Sequence, residues 1–214
     1  MDKRPQRCMR LLMTATLATI GLVLAGWTSF GPPSLQGGAP AQSGVPTPTP
    51  ASSGPPKRAP RTGQPNVAAQ RAAMSKLGFL IGQWSGPLML QSGPGSALHF
   101  VQSENVQPKV DGLVVLVEGV ARASSGHAVF QALATISYDD VTATYRFRAY
   151  NDGRYLDTTL RVSGQGFSWG YTAGPATITN TMRLTPAGAW SEQTTTRVGT
   201  APPRTTVEMT LHRI

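Results

Sequence analysis

The chain has 214 residues, a formal net charge of +9 and a single cysteine, Cys8. A chain this long holds one domain or two small ones. From Leu77 to Ile214 ten Lys/Arg stand against nine Asp/Glu, so the positive charge belongs to the front of the chain and is no evidence for a nucleic-acid-binding face. The lone cysteine excludes a disulfide framework and a cysteine metal site in the remainder, a usage ordinary for an exported bacterial domain.

In chain order, Lys3, Arg4, Arg7 and Arg10 form a positive start, and Leu11 to Trp27 follow without a charge. A basic stretch before an apolar run is what export machinery inserts, and residues 1–27 are expected to be a signal peptide or a membrane anchor. Val23 and Ala25 sit where a cut after Ala25 needs small residues. If the run is kept, it is shorter than the ~20 residues that span a bilayer comfortably. The positive end stays in the cytoplasm in both cases, which places the rest outside it, in the periplasm, on the cell surface or secreted. Membrane contact is expected only through this segment if it is not cut.

Residues 28–65 come next. Eleven of the 18 prolines lie at or before Pro65. Proline fixes φ and lacks an amide hydrogen, so the stretch favours extended polyproline II. It has few apolar residues to offset the entropy of ordering. The expectation is a disordered, Pro-rich linker.

Residues 66–214 read as one folded domain. Asn66 is a candidate N-cap and Gly82 a candidate stop for a short helix, with Leu77, Leu80 and Ile81 on one face and Met74 near it. From Trp84 the period changes. Runs rich in Val, Thr, Tyr and Phe cover 84–91, 97–107, 112–122, 127–137, 143–151, 154–162, 166–173, 176–185, 188–198 and 204–213, with Gly, Asp, Asn and Pro between them. Short strands at this spacing form hairpins of a barrel or sandwich. Asn151-Asp152-Gly153 is the strongest turn signal, because Asp-Gly accepts the positive φ of a two-residue hairpin. Apolar residues keep to one parity: Tyr145, Phe147 and Ala149; Leu156, Leu160 and Val162; Phe167, Trp169 and Tyr171; Ile178, Met182 and Leu184; Val207, Met209 and Leu211. One apolar face per strand suits a single sheet curled around one interior. The expected fold is all-β: a single antiparallel up-and-down β-barrel of about ten strands, capped by a short N-terminal helix, with a sandwich as the alternative.

The stretch Leu77 to Gly86, LGFLIGQWSG, resembles the opening of lipocalin-like β-barrel proteins of unknown function, relatives of the nitrobindin-like heme-binding barrels. The later ISYD, Ile136 to Asp139, resembles their mid-barrel strand end. The likeness covers roughly residues 77–214. It implies a barrel with Trp84 near its closed end, and no single activity. In the nitrobindin-like barrels a histidine on a strand near the C-terminus holds heme. Here His212 alternates against Val207, Met209 and Leu211, so it is expected to face solvent, as are His99 and His127. No cofactor and no metal are expected, since no histidines or carboxylates share ligand spacing.

Glu104 shares its parity with Leu98, Phe100, Gln102 and Val106. An inward carboxyl costs several kcal/mol unless paired, which would make it a ligand anchor or half of an ion pair. The other reading is a strand end or bulge that returns it to solvent. Glu118 and Glu192 lie on strands of unclear parity, Glu192 on the side of Trp190. No phosphate loop or cysteine nucleophile is present. Candidate ligand-binding residues are Glu104, Tyr145, Phe147, Phe167, Trp169, Tyr171 and Trp190, which would line a pocket for a small apolar or amphipathic ligand. Two alternatives accompany this reading: a cell-envelope structural or interaction protein with a filled barrel, and a weakly specified hydrolase or heme protein.

Overall fold

The computed structural model describes residues 63–93 and 95–214. The expected leader and all but the last three residues of the expected linker lie outside the described residues.

The folded part opens with a helix, α1, over Val67–Met74. The Asn66 side chain accepts from the Ala69 amide at 3.0 Å and so satisfies one of the first free N–H groups. The chain then tightens into a 3-10 helix over Ser75–Leu80. Residues three apart eclipse in that geometry, and Leu77 and Leu80 are both fully buried. The expected helix thus divides in two. It leads the barrel but begins at residue 67, mid-sequence and not at the N-terminus of the chain.

Ten strands follow: β1 Gly82–Gly93, β2 Ser96–Lys109, β3 Val114–Arg122, β4 Ala128–Asp139, β5 Thr144–Asn151, β6 Arg154–Val162, β7 Gly166–Ala173, β8 Ala176–Leu184, β9 Trp190–Val198 and β10 Arg204–Arg213. Each pairs antiparallel with its sequence neighbours, and β1 pairs with β10 from Trp84↔Arg213 to Leu90↔Val207. The sheet is therefore a closed barrel and not a sandwich. Closure leaves no edge strand with free backbone groups. The β5–β6 hairpin turns through Asp152 and Gly153, at φ +44° and +75°, as the Asp-Gly signal required.

Alternation decides what points inward. Phe147 and Ala149 on β5, Leu160 on β6, Phe167 and Trp169 on β7, and Val207, Met209 and Leu211 on β10 are buried. The opposite parity is wet: Tyr155 is 67% exposed.

The two ends of the barrel differ. At one end α1 and the 3-10 helix lie against the β4–β5 side, where Asp140 accepts from the Asn66 amide and from the Gln70 side chain, each at 2.7 Å. The Tyr145 hydroxyl donates to the Ala73 carbonyl at 2.7 Å. The Trp84 indole N–H donates to the Leu80 carbonyl at 2.8 Å. Arg213 donates to the carbonyls of Phe79 and Ile81 at 2.7 and 2.6 Å, its guanidinium 4.2 Å from the centroid of the Trp84 ring. Trp84 thus lies at the closed end, as the family resemblance implied. At the other end, among the described residues, no helix covers the hairpins. There the inward-parity Leu98, Phe100, Leu156 and Tyr171 are only half-buried.

Candidate functional site: a polar layer inside the barrel

Midway along the barrel the interior turns polar. Gln102, Glu104, Asn180, Glu192 and Thr194 are all buried. Glu104 is 2% exposed, which removes the reading in which a strand end or bulge returns it to solvent. The regular register of β2, with Trp84↔Glu104 on one side and Glu104↔Gly119 on the other, keeps its side chain inward.

Two carboxyl groups anchor the layer. Glu192 accepts from Asn180 Nδ2 at 2.7 Å on one oxygen and from the Trp190 indole N–H at 2.8 Å on the other. Asn180 Nδ2 also reaches Thr194 Oγ1 at 3.0 Å. Glu104 accepts from Gln102 Nε2 at 2.6 Å through Oε1. Its Oε2 has no hydrogen-bond partner among the described residues, nor do Asn180 Oδ1 and the Trp169 indole N–H. Burial pushes the Glu104 carboxyl well above the ordinary range, the charge of Glu192 pushes it further, and the Gln102 hydrogen bond pulls partly back.

Glycine makes room for this arrangement. A Cβ on Gly119 would stand 2.9 Å from Glu104 Oε2 and 3.1 Å from Gln102 Nε2. The carboxyl and its amide partner therefore lie directly over bare backbone of β3, space that any other residue would fill.

The aromatic candidates fall into two groups. Trp190 packs edge-on to Trp84, with centroids 5.6 Å apart, and to Phe167 at 6.3 Å, forming the floor at the closed end. Phe147, Trp169 and Tyr171 stack as a wall, at 4.9 and 6.2 Å, running from the buried middle towards the half-buried rim. Tyr145 belongs to neither. It contacts Tyr138 at 5.0 Å and commits its hydroxyl to the helix, so it seals the closed end.

Sequence reasoning passed over Asn180, Thr194 and Gly119. Asn180 shares parity with Ile178 and Met182, and Thr194 with Trp190 and Glu192, so alternation carried a signal for both. Gly119 carried none. Of the two glutamates left without a side, Glu192 is buried and Glu118 exposed. His99, His127 and His212 are all exposed, so none of them is placed to ligate a heme iron inside the barrel.

A concavity of about 580 Å³ lies on the outer wall between β3 and the β5–β6 hairpin, lined by Leu133, Tyr150 and Tyr155 among others. Its aromatic pair is 6.3 Å apart, and the buried Asn151, whose Nδ2 has no hydrogen-bond partner among the described residues, also lines it.

No family model matches the chain, and no curated protein does. Solved structures do. The crystal structure of Rv2717c from M. tuberculosis matches with a TM-score of 0.50 at 15% sequence identity, covering 66% of this chain and 97% of that one. The likeness is one of fold. Nearly all of that protein aligns, whereas about a third of the present chain lies outside the match.

Proposed function

We propose that this chain is an exported, lipocalin-like barrel that binds a small amphipathic ligand, its polar end on the Glu104–Asn180–Glu192 layer and its apolar body along Phe147, Trp169 and Tyr171. One observation carries the reading: buried polar atoms without a hydrogen-bond partner among the described residues, beneath a half-buried apolar rim. Each such atom costs about 1–3 kcal/mol when left unsatisfied, and a ligand that pairs with them recovers that cost. Concave sites with apolar walls and a few convergent polar groups are the usual form of small-molecule pockets.

Native mass spectrometry of the purified chain, with displacement of a bound fluorescent dye by lipid extracts, tests the binding. A bound species or saturable displacement is the expected result. A barrel that takes up neither dye nor extract would leave the filled-barrel reading, which the tight packing of Trp84, Trp190 and Phe167 at the closed end favours. Export rests on the basic start and the apolar run of residues 11–27. A fusion of residues 1–65 to alkaline phosphatase, which is active only outside the cytoplasm, is expected to show activity. An inactive fusion would overturn export without touching the binding proposal.

A further inference from the structure

The outer wall of the barrel carries aromatic rings where polar side chains are the rule. On β5 and β6 the other outward positions include Arg146, Arg148, Asp157, Thr159 and Arg161. Tyr150 and Tyr155 break that pattern and stand 44% and 67% exposed. They are cross-strand partners, and Leu133 on β4 and Glu118 on β3 continue the row. The row crosses three strand spacings, or ~14 Å. A cross-strand aromatic pair steadies a hairpin. That role does not account for the concavity of about 580 Å³ in which the row lies.

Asn151 points to a ligand. It ends β5, is 6% exposed and lines the concavity. Its Nδ2 has no hydrogen-bond partner among the described residues. A buried amide donor is normally paired, so a molecule that brings an oxygen fits here. The rest of the polar lining is mixed. Gln131 offers both a donor and an acceptor, Asp152 accepts, and Arg154 donates. Glu118 accepts from Asn105 at 3.1 Å and has further lone pairs to offer. Two acidic groups against one base disfavour a phosphate or a nucleic-acid backbone. A wholly apolar molecule would cover Asn151 and the carboxylates without pairing them. A hydroxyl both donates and accepts. Several hydroxyls on a ring with a flat C–H face therefore match mixed polar groups set around two exposed tyrosine rings.

We infer that this concavity is a carbohydrate site for a neutral pyranose oligosaccharide. A sugar ring rests on Tyr150 and Tyr155, and a hydroxyl oxygen accepts from Asn151 Nδ2. The site lies on the outside of the barrel and is separate from the interior ligand proposed above. Its exposed rings form a row along a surface, which suits a saccharide chain lying across it.

Saturation-transfer NMR on the full chain tests this, with cellohexaose, maltohexaose and mannohexaose as neutral probes. Hexagalacturonate serves as the charged comparison and decaproline as a peptide comparison. At least one neutral sugar is expected to receive saturation on its ring C–H protons, and hexagalacturonate less. Tyr155→Ala is expected to weaken that sugar about tenfold or more, and Tyr155→Phe to retain it, because the ring face does the binding. Asn151→Asp replaces the free donor with an acceptor and is expected to cost about tenfold as well. No transfer to any neutral sugar, tighter binding of hexagalacturonate, or unchanged binding in Tyr155→Ala would overturn the inference. Binding of decaproline in place of the sugars would make the tyrosines a peptide groove and overturn it too. So would a dimer on size-exclusion chromatography that Tyr155→Ala dissolves, since a second copy would then cover the face. If circular dichroism shows Asn151→Asp unfolded, the two Tyr155 variants decide alone.

Discussion

Glu104 is the residue on which the interior turns. Burial, then the charge of Glu192, keeps its carboxyl protonated above the ordinary value of 4.5. The groups facing it are Gln102 on its own strand, Trp84 from β1, Gly119 from β3 and the carboxyl of Glu192 from β9. An unfolded chain ionises this side chain at the ordinary value, whereas the folded barrel releases the proton only at higher pH. The unfolded state therefore binds fewer protons between the two values. Stability is fully present below the unfolded value and is lost as pH rises towards the folded one. We expect the thermal midpoint, followed by circular dichroism, to fall as pH rises above the ordinary carboxyl value, and Glu104→Gln to flatten that fall. A second expectation concerns Gly119. Gly119→Ala forces Glu104 and Gln102 to move and is expected to cost about 1–3 kcal/mol in urea unfolding, as overpacking does. Combining it with Glu104→Ala should cost less than the two single changes added together, because the clash is then gone. Strict additivity would show that the glutamate does not lie over Gly119.

At the scale of elements, strand limits and facing were readable because a strand reports burial with a period of two. The β6, β7 and β10 ranges follow the sequence pattern residue for residue, and the others differ by a few residues at their ends. The Asp-Gly hairpin follows from the positive φ that Gly153 tolerates, and Gly153→Ala is expected to destabilise by about 1–2 kcal/mol through that strain alone, read from chemical denaturation. The helix was less readable. Its apolar spacing shows a buried face but does not distinguish an α-helix from the 3-10 turn that sets Leu77 above Leu80. Tyr145 was assigned to the pocket on parity, yet its hydroxyl clasps Ala73. Parity tells inside from outside, and says nothing of depth along the barrel. We expect Tyr145→Phe to cost about 1 kcal/mol and to speed amide exchange within Val67–Leu80 while leaving dye binding unchanged. Weakened dye binding would return Tyr145 to the pocket.

The whole molecule depends on its seam. β10 closes the sheet against β1, and removing Arg204–Ile214 would expose the edges of both β1 and β9. Such edges template pairing between chains, so this truncation is expected to run as aggregate on size-exclusion chromatography where the full chain does not. A well-behaved truncated monomer would mean that the seam is dispensable. By itself the sequence determined an all-β domain of about ten antiparallel strands and the outward parity of His212, because local alternation and turn chemistry suffice for each, whereas it left Glu104 between the interior and solvent. Only the tertiary structure decided that the sheet closes, that Tyr145 serves the cap, and that Glu104 meets Glu192. Those two carboxyls lie on β2 and β9, far apart in sequence. They become neighbours only because the β1–β10 seam sets just two strands between them, and no local pattern records which strands will face each other across a closed interior.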